Sequence, residues 1–319
     1  MTDGVPAEFE RILERAAFCS IAAETRRGPH LTPLVFAWSD GRVWLTTSRG
    51  SVKARAWRAD PRVAGLVQDG ARAVTFTGRA AAHDVLDPST WIRTAVGMPA
   101  VAAASVRFTV KNARFFAGYA VDARRVPLAW TPPGRVLVEI VLERAALLDA
   151  GEVRALWGAW DVSHRTAANF RARRSGTDAF AALPAAVRSG LGGSGPAALG
   201  IAGSRSSVVL PARWAEGGPD LFAAMPQGSL SIAGVSEAAF PVAIAVDRAS
   251  GWRAREMVGT MAQGIGNVFL LDRLRAGGRS AEERVRRTGM DPEGAALVRI
   301  RPGRLVWWRG WSSGSVTIG

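Results

Sequence analysis

The chain is poor in the residues that most often carry chemistry in proteins. Its 319 residues include one cysteine, one tyrosine and three histidines. The single cysteine, Cys19, excludes a disulfide framework and a cysteine-ligated zinc site. His30, His83 and His164 have no partner at metal-ligand spacing, so no metal site is expected. His30 and His83 each border a predicted strand, and both are expected to face solvent.

Lysine is also scarce, although the chain is strongly basic. Of 41 lysines and arginines only Lys53 and Lys111 are lysines, which leaves 39 arginines, and the formal net charge is +14. The arginines are scattered and form no basic block of the kind that marks a nucleic-acid-binding arm. A GC-rich coding bias accounts for this pattern, and attraction of an anionic ligand or surface is the alternative. No nucleic-acid partner is expected.

Long apolar runs are missing as well. No stretch reaches the roughly 18 apolar residues that a membrane span needs. The first residues are acidic and helical in pattern, unlike the basic segment and apolar core of a signal peptide. A hydrophobic content of 48% and a mean hydropathy of +0.07 are typical of a globular chain. These features predict a cytoplasmic protein with no membrane partner.

What the sequence does contain is a series of short apolar or alternating runs between residues 18 and 80. Each run is closed by a turn signal, such as the tight hairpin signal at residues 39–41 and another at residues 68–70. Residues 51–58 are predicted to form a helix between two of the strands. Many short strands with one helix among them predict a mainly β chain with helices, of the α+β class, built on a small antiparallel barrel of Greek-key type.

The second half of the chain repeats this order weakly. Residues 297–300 match residues 137–140, and residues 221–225 align with residues 44–48. The ordered series of matches predicts a duplicated domain. A polar and then glycine-rich stretch between the halves has the composition of a linker. The predicted division is residues 1–160 for the first barrel, residues 161–195 for the linker and residues 196–319 for a degenerate second barrel.

One polar segment stands out where the third predicted strand ends and the helix begins. Free backbone N–H groups at a helix start favour an anion, and hydroxyls with an ammonium can complete a phosphate site. An ordinary solvated strand–helix turn explains the same residue types equally well, so the residues alone leave both interpretations open. The candidate phosphate ligands are Thr46, Thr47, Ser48, Ser51 and Lys53.

The order FCSIAA, GPHLTPLVFAW, DGRVWLTT, GSVKARAWRADPRVAGLV and VTFTGRA resembles the pyridoxamine-phosphate-oxidase-like split barrels. This superfamily comprises flavin and deazaflavin oxidoreductases, and the resemblance implies two tandem split barrels in this chain. It also implies that the five candidate ligands hold the phosphate of a cofactor, with Arg55 assisting. Residues Pro33, Leu34 and Val35 of the second strand would lie along the cofactor ring. Members of the superfamily use FMN, the deazaflavin coenzyme F420 or, in some branches, haem.

The resemblance implies an FMN- or deazaflavin-dependent oxidoreductase with an unknown small-molecule substrate, and it assigns no catalytic residue. Pyridoxamine phosphate is not the expected substrate, because Val52 and Lys53 stand where those oxidases carry an Arg-Lys pair. Split barrels usually pair as homodimers, so this chain would form an intramolecular pseudo-dimer, and a homodimer of such chains is left open. The second half has lost the hydroxyls, which predicts one cofactor site per chain. The alternative is a non-catalytic flavin- or haem-binding module.

Overall fold

The computed structural model describes residues 4–122, 124, 126, 134–160, 178–203, 206–235, 239–249, 256–271 and 278–318. Over these residues the chain forms two closed six-stranded antiparallel barrels with helices, which confirms the predicted α+β class and the two-barrel architecture. Each barrel carries a seventh strand at one edge.

The first barrel consists of seven strands in the order β3-β2-β1-β4-β5-β6-β7, and β3 also pairs with β6 to close it. Alternation places one face of every strand in a core that contains Phe36, Val43 and Phe76. The strands are β1 (Phe18–Thr25), β2 (Gly28–Ser39), β3 (Arg42–Ser48), β4 (Arg62–Asp69), β5 (Arg72–His83), β6 (Arg135–Asp149) and β7 (Glu152–Trp157).

Five helices accompany the first barrel. Helix α1 packs Phe9, Ile12 and Leu13, which share one helix face, into the barrel core. Helix α4 covers the outer side of β2, where Phe108 contacts Val35. The helices are α1 (Ala7–Arg15), α2 (Val52–Ala59), α3 (Trp91–Val96), α4 (Met98–Lys111) and α5 (Ala113–Val121), with a short 3-10 turn at Pro88–Thr90.

The second barrel repeats this topology with the strand order β10-β9-β8-β11-β12-β13-β14, and a β10–β13 pairing closes it. Its strands are β8 (Ser194–Ile201), β9 (Val208–Gly217), β10 (Asp220–Pro226), β11 (Ala239–Ala249), β12 (Met257–Leu270), β13 (Ala295–Arg309) and β14 (Ser312–Thr317). Its helices are α6 (Ala185–Leu191), α7 (Gln227–Leu230) and α8 (Gly278–Arg287), with a 3-10 turn at Ser231–Ala233.

Half of the predicted linker that the structure describes is regular secondary structure. Residues 161–177 lie outside the described residues. Helix α6 then places Val187 and Leu191 in the core of the second barrel, and β8 begins at Ser194. The expected flexible connector over residues 189–196 is therefore the end of a helix and the start of a strand, because its apolar residues pack on the barrel. The division of the chain at residues 160 and 196 otherwise stays a prediction.

Two β-bulges show which residues of the two barrels are structurally equivalent. One separates Thr77 from Gly78 in the β5–β6 pair, and the other separates Gln263 from Gly264 in the β12–β13 pair. A Cβ on Gly78 would lie 2.1 Å from a backbone oxygen, and one on Gly264 would lie 2.0 Å from the equivalent oxygen, so both bulges require glycine. Arg144 of β6 is therefore the structural equivalent of Arg304 of β13.

This register confirms one sequence alignment and corrects another. Residues 137–140 and 297–300 occupy equivalent places, as predicted. The match of residues 44–48 to residues 221–225 is wrong by one position, since Val43 and Leu221 face the equivalent isoleucines of β6 and β13. The true equivalents of Thr46, Thr47 and Ser48 are Ala224, Met225 and Pro226. Sequence pattern failed here because alternating apolar strands look alike in neighbouring registers.

The two barrels pack against each other along an apolar seam. It is formed by side chains that point out of both barrels: Ala22, Leu31, Ala64, Leu66, Ala73 and Leu148 from the first, and Ala198, Val209, Ala243, Ala245 and Met261 from the second. The buried hydroxyl of Thr75 donates across the seam to the carbonyl of Val209 at 2.6 Å. The two barrels therefore share a buried apolar interface.

Gly28 allows a close approach of the two barrels at this seam, and it provides a stability test. Its φ is +98°, and a Cβ there would lie 2.7 Å from Cβ of Pro241 in the second barrel. Gly41 also has a positive φ, +69°, but a Cβ there meets nothing within 4 Å. We expect Gly28→Ala to lower the free energy of unfolding by about 1–3 kcal/mol more than Gly41→Ala, because only the first overpacks the seam. Urea unfolding of both variants measures this difference, and equal losses would contradict the described seam.

Candidate functional site

The turn from β3 into α2 is held by side-chain hydroxyls. Ser51 is the N-cap of α2, and its hydroxyl accepts a hydrogen bond from the backbone N–H of Ala54 at 3.1 Å. The hydroxyls of Ser51 and Thr47 lie 3.0 Å apart, within hydrogen-bond distance. Thr47 is buried and Ser51 half-buried. The predicted strand–helix junction is present, and its hydroxyls converge.

Lys53 points from the first turn of α2 into the protein and is 7% exposed. Its ammonium donates to Oγ1 of Thr32 on β2 at 2.7 Å. Burial, and then the nearby charge of Arg135, lower the pKa of Lys53 from 10.5 to about 8. The ammonium therefore has a neutral hydroxyl as its hydrogen-bond partner and a second cation as its charged neighbour.

Arg135 begins β6 and reaches back to the end of β3. Its guanidinium donates to the carbonyl oxygen of Thr46 at 2.8 Å and to the hydroxyl of Thr46 at 2.8 and 3.0 Å. These contacts hold the guanidinium beside the strand–helix junction. No local sequence signal identifies Arg135, because the β3–β6 pairing that brings it to Thr46 closes the barrel across a long stretch of chain.

His30 lies on β2, two residues before the threonine that Lys53 contacts. It is buried, so the expectation that it faces solvent is wrong; the second barrel covers this end of β2. Burial, and then the charges of Lys53 and Arg304, lower the pKa of His30 to about 3. The imidazole is consequently neutral at physiological pH. It can donate one hydrogen bond and accept another without adding charge.

Arg304 brings a cation from the second barrel to this site. Arg304 lies opposite Gln263 in the register of β12 and β13. The amide of Gln263 donates at 3.0 Å to the carbonyls of Gly28 and Pro29, which directly precede His30. Arg304 therefore lies at the seam where it acts electrostatically on His30. A sequence alignment that matches the two bulge glycines would have paired Arg304 with Arg144.

The site as a whole combines cations with neutral donors. The cations are Lys53, Arg135 and Arg304, and the neutral groups that border them are His30 and the hydroxyls of Thr32, Thr46, Thr47 and Ser51. A buried cation is costly unless an anion pairs with it. The arrangement is therefore suited to an anionic ligand. In the described part of the chain, no group of three or more His, Cys, Asp or Glu side chains could hold a metal ion.

The remaining predicted phosphate ligands lie at the edge of this cluster. Ser48 ends β3 and is half-buried. Arg55 is exposed on the far side of α2, where its guanidinium donates to the carbonyl of Gly50 at 2.7 Å. Two residues separate Arg55 from Lys53, which places them on different faces of the helix. Their assignment to a cofactor stays a prediction.

The three residues predicted to lie along a cofactor ring have different surroundings. Leu34 packs at the edge of the barrel core. Val35 points outward and is covered by Phe108 of α4. Pro33 is half-buried, on the same outer side of β2 as Leu31, which lies in the seam. Of the three, Pro33 is the closest in sequence to the seam residue Leu31, and its side chain lies on the same side of β2.

The equivalent strand positions in the second barrel are apolar. Val208 and Leu210 replace His30 and Thr32, and both are core residues. Ala295 stands where the first barrel has Arg135. Arg144, the equivalent of Arg304, donates instead to the hydroxyls of Thr77 at 2.9 Å and Ser206 at 3.0 Å. The cluster around Lys53 thus has no equivalent at these positions of the second barrel.

Comparison with known proteins agrees with this architecture. Residues 5–115 match the family model for pyridoxamine 5'-phosphate oxidase, a span that runs from α1 through β5 into α5. The first barrel is therefore similar to the pyridoxamine-5'-phosphate-oxidase-like split barrels, and the second barrel fits a tandem duplication of the same fold. A search of the curated proteins gave no match.

Solved structures similar to this chain each correspond to under half of it. A conserved hypothetical protein from Mycobacterium tuberculosis is 28% identical, covering 47% of this chain and 89% of its own, with a TM-score of 0.32. An F420 reductase is 21% identical over 44% and 98%, with a TM-score of 0.30. A pyridoxamine 5'-phosphate oxidase-related, FMN binding protein from Nostoc punctiforme is 17% identical over 44% and 78%, with a TM-score of 0.33.

The buried ammonium of Lys53 has a measurable effect on stability. Its pKa is lowered from 10.5 to about 8 in the folded protein, so the folded state binds fewer protons than the unfolded state between these values. Folding stability should therefore rise with pH from 8 to 10.5, by an amount on the order of 2–3 kcal/mol from this group. We expect Lys53→Met to remove that rise and to be the more stable protein at pH 7.

Urea unfolding of both proteins between pH 7 and 10.5 tests this expectation. Lys111 has a similarly lowered pKa, about 8, but is present in both proteins, so the difference between them isolates Lys53. A parallel pH dependence of the two proteins would show that Lys53 is not buried as described.

Proposed function

We propose that this protein is an oxidoreductase that binds one FMN or deazaflavin F420 molecule per chain, with the cofactor phosphate at Lys53. The observation that carries the proposal is the buried ammonium whose partners are a hydroxyl, from Thr32, and a second cation, Arg135. A phosphate supplies the missing negative charge and accepts hydrogen bonds from all of these groups. A bound phosphate would also raise the pKa of Lys53 toward its ordinary value, so that the full charge is present at neutral pH.

The surroundings of Lys53 suit a cofactor that extends from the strand–helix junction into the seam. Thr47 and Ser51 offer hydroxyls at one end, and His30 offers a neutral imidazole toward the other. When bound, a flavin or deazaflavin supplies the hydride or electron-transfer chemistry. The chain's own residues bind the phosphate, orient the ring and exclude water, and no protein nucleophile is required.

FMN and F420 both carry phosphate, and the neighbouring proteins include one of each kind by name. The numerous arginines favour the cofactor with the longer anionic tail, and the compact cluster around Lys53 serves either. The absorption spectrum of the purified protein distinguishes them, because an oxidised flavin absorbs at longer wavelength than a deazaflavin.

A comparison of FMN with riboflavin isolates the phosphate contact. We expect the wild-type protein to bind FMN more tightly than riboflavin, and Lys53→Met to lose about 1.5–3 kcal/mol of FMN affinity without affecting riboflavin. If F420 is the ligand, its fragment without phosphate takes the place of riboflavin. Fluorescence titration measures all four affinities.

Lys111→Met is the matched control for this experiment. Lys111 is also partly buried with a lowered pKa, but its ammonium donates to the carbonyl of Leu13 and lies over the ring of Phe36, away from the junction. The Lys111→Met protein should bind FMN as the wild-type protein does. An unchanged preference for FMN in Lys53→Met would exclude Lys53 as the phosphate ligand.

The pair Arg304 and Arg144 tests whether the second barrel completes the site. The two residues are equivalent by register, but only Arg304 acts on the cationic cluster of the first barrel. We expect Arg304→Gln to weaken cofactor binding about tenfold, and Arg144→Gln to leave it unchanged. Titration should also give one cofactor per chain. A stoichiometry near two, or equal effects of the two substitutions, would contradict a one-sided site.

A further inference from the structure

A second polar region lies on the outer face of the first barrel, at the end of β5 that is away from the seam. Strands β3, β6 and β5 bring Trp44, Glu139 and His83 side by side there, under helix α3. A cavity of about 550 Å³ opens over this face. It is lined by Arg42, His83, Glu139, Arg93, Val96 and Pro99, among others. A second cavity of about 660 Å³ adjoins it and shares Arg93 and Glu139.

The second barrel shows that the fold does not require these polar residues. At the places equivalent to Trp44 and His83 it has Phe222 and Phe269. Ala281 and Val285 of helix α8 pack onto that apolar face and fill it. In the first barrel the same face is polar, and cavities remain beside the short helix α3. A polar, open face at a position where the fold accepts an apolar, filled one indicates a binding role.

His83 is the most informative residue on this face. Its side chain is buried, contrary to the expected exposure, because α3 and the ring of Trp44 cover it; the two ring centroids lie 5.8 Å apart. Nδ1 of His83 lies 3.2 Å from the hydroxyl of Thr94, which itself donates to the carbonyl of Thr90 at 2.8 Å. The Thr94 oxygen therefore accepts from Nδ1–H of His83. This leaves Nε2 of the neutral ring as a hydrogen-bond acceptor.

That acceptor faces another acceptor. Nε2 of His83 is buried without a hydrogen-bond partner among the described residues. Oε2 of Glu139 lies 3.5 Å from Nε2 of His83, and the Glu139 carboxylate pairs with Arg42 at 3.1 Å. Two acceptors at this separation are satisfied when a donor from a third group lies between them. An ammonium of a ligand in the cavity can donate to both acceptors, and a hydroxyl can donate to one of them.

We propose that this cavity is a second binding site, for a small organic carboxylate that also carries a hydroxyl or ammonium group next to an apolar carbon chain. The donor lies between His83 and Glu139, and the carboxylate pairs with Arg93. Val96 and Pro99 contact the apolar chain. Its volume is in the range that small-molecule sites occupy. The site is independent of the cofactor site proposed at Lys53.

Three probes with one carbon skeleton test the proposal by titration calorimetry on the full chain. 2-Hydroxy-3-methylbutanoate carries the hydroxyl, valine carries the ammonium, and 3-methylbutanoate carries neither donor. We expect one of the first two to bind, and its identity reports which donor the site takes. The third should bind at least about tenfold more weakly, since it leaves both acceptors unpaired.

Four variants locate the binding. His83→Phe introduces the residue that the second barrel has at this place, so the fold should tolerate it, and it should abolish binding of the probe. Arg93→Gln should weaken binding about tenfold. Arg107→Gln is its matched control, because Arg107 is exposed on the next helix, pairs with Glu14 and lines neither cavity. Lys53→Met should bind the probe as the wild-type protein does.

Several results would overturn the proposal. Failure of both donor-bearing probes to bind at millimolar concentrations to the folded wild-type protein would exclude the site. Equal binding of 3-methylbutanoate would exclude the role of His83 and Glu139. Nitrogen-15 NMR spectra that show His83 doubly protonated in the free protein at neutral pH would also overturn it, because Nε2 would then donate to Glu139 directly.

Discussion

The apolar packing of the two barrels is the interaction on which the rest of the structure depends. Leu31, Leu66 and Val209 exclude water from the seam, and Gly28 lets the second barrel approach closely. This exclusion of water buries His30 and so lowers its pKa, and it brings Arg304 to the site. Without the second barrel the end of β2 would be hydrated, and the proposed cofactor site would lose its cation from across the seam.

The two halves of the chain show how one fold tolerates opposite choices at equivalent places. Arg42 and Glu139 form an ion pair at 3.1 Å in the first barrel, and Asp220 and Arg299 form the reversed pair at 3.4 Å in the second. The fold needs opposite charges on these neighbouring strands and is indifferent to their order. The fold likewise does not require Lys53's partner Thr32, because Leu210 occupies the equivalent place in the second barrel.

The sequence predicted the barrel fold, the duplication and the junction from β3 into α2, because turn residues, alternation and N-cap chemistry are local signals. It also indicated Lys53 and the hydroxyls of Thr46, Thr47 and Ser51 as candidate ligands, and their role in binding a phosphate stays a prediction. It missed Thr32 and Arg135 as partners in that cluster, since strand pairing across long separations brings them together. It placed His30 and His83 in solvent, because a histidine at a strand end carries no information about which element covers it. The one-residue error in aligning the halves has the same origin.

The sequence by itself determined which residues form strands, where the chain turns and which half carries the hydroxyls and the lysine. Only the tertiary structure decided that Lys53 is buried beside a second cation, that Arg304 of the other barrel reaches His30, and that Nε2 of His83 has no donor. The physical reason is that hydrogen-bonding and turn preferences act between near neighbours in the chain. Burial and electrostatic pairing depend on the surfaces that distant segments bring together.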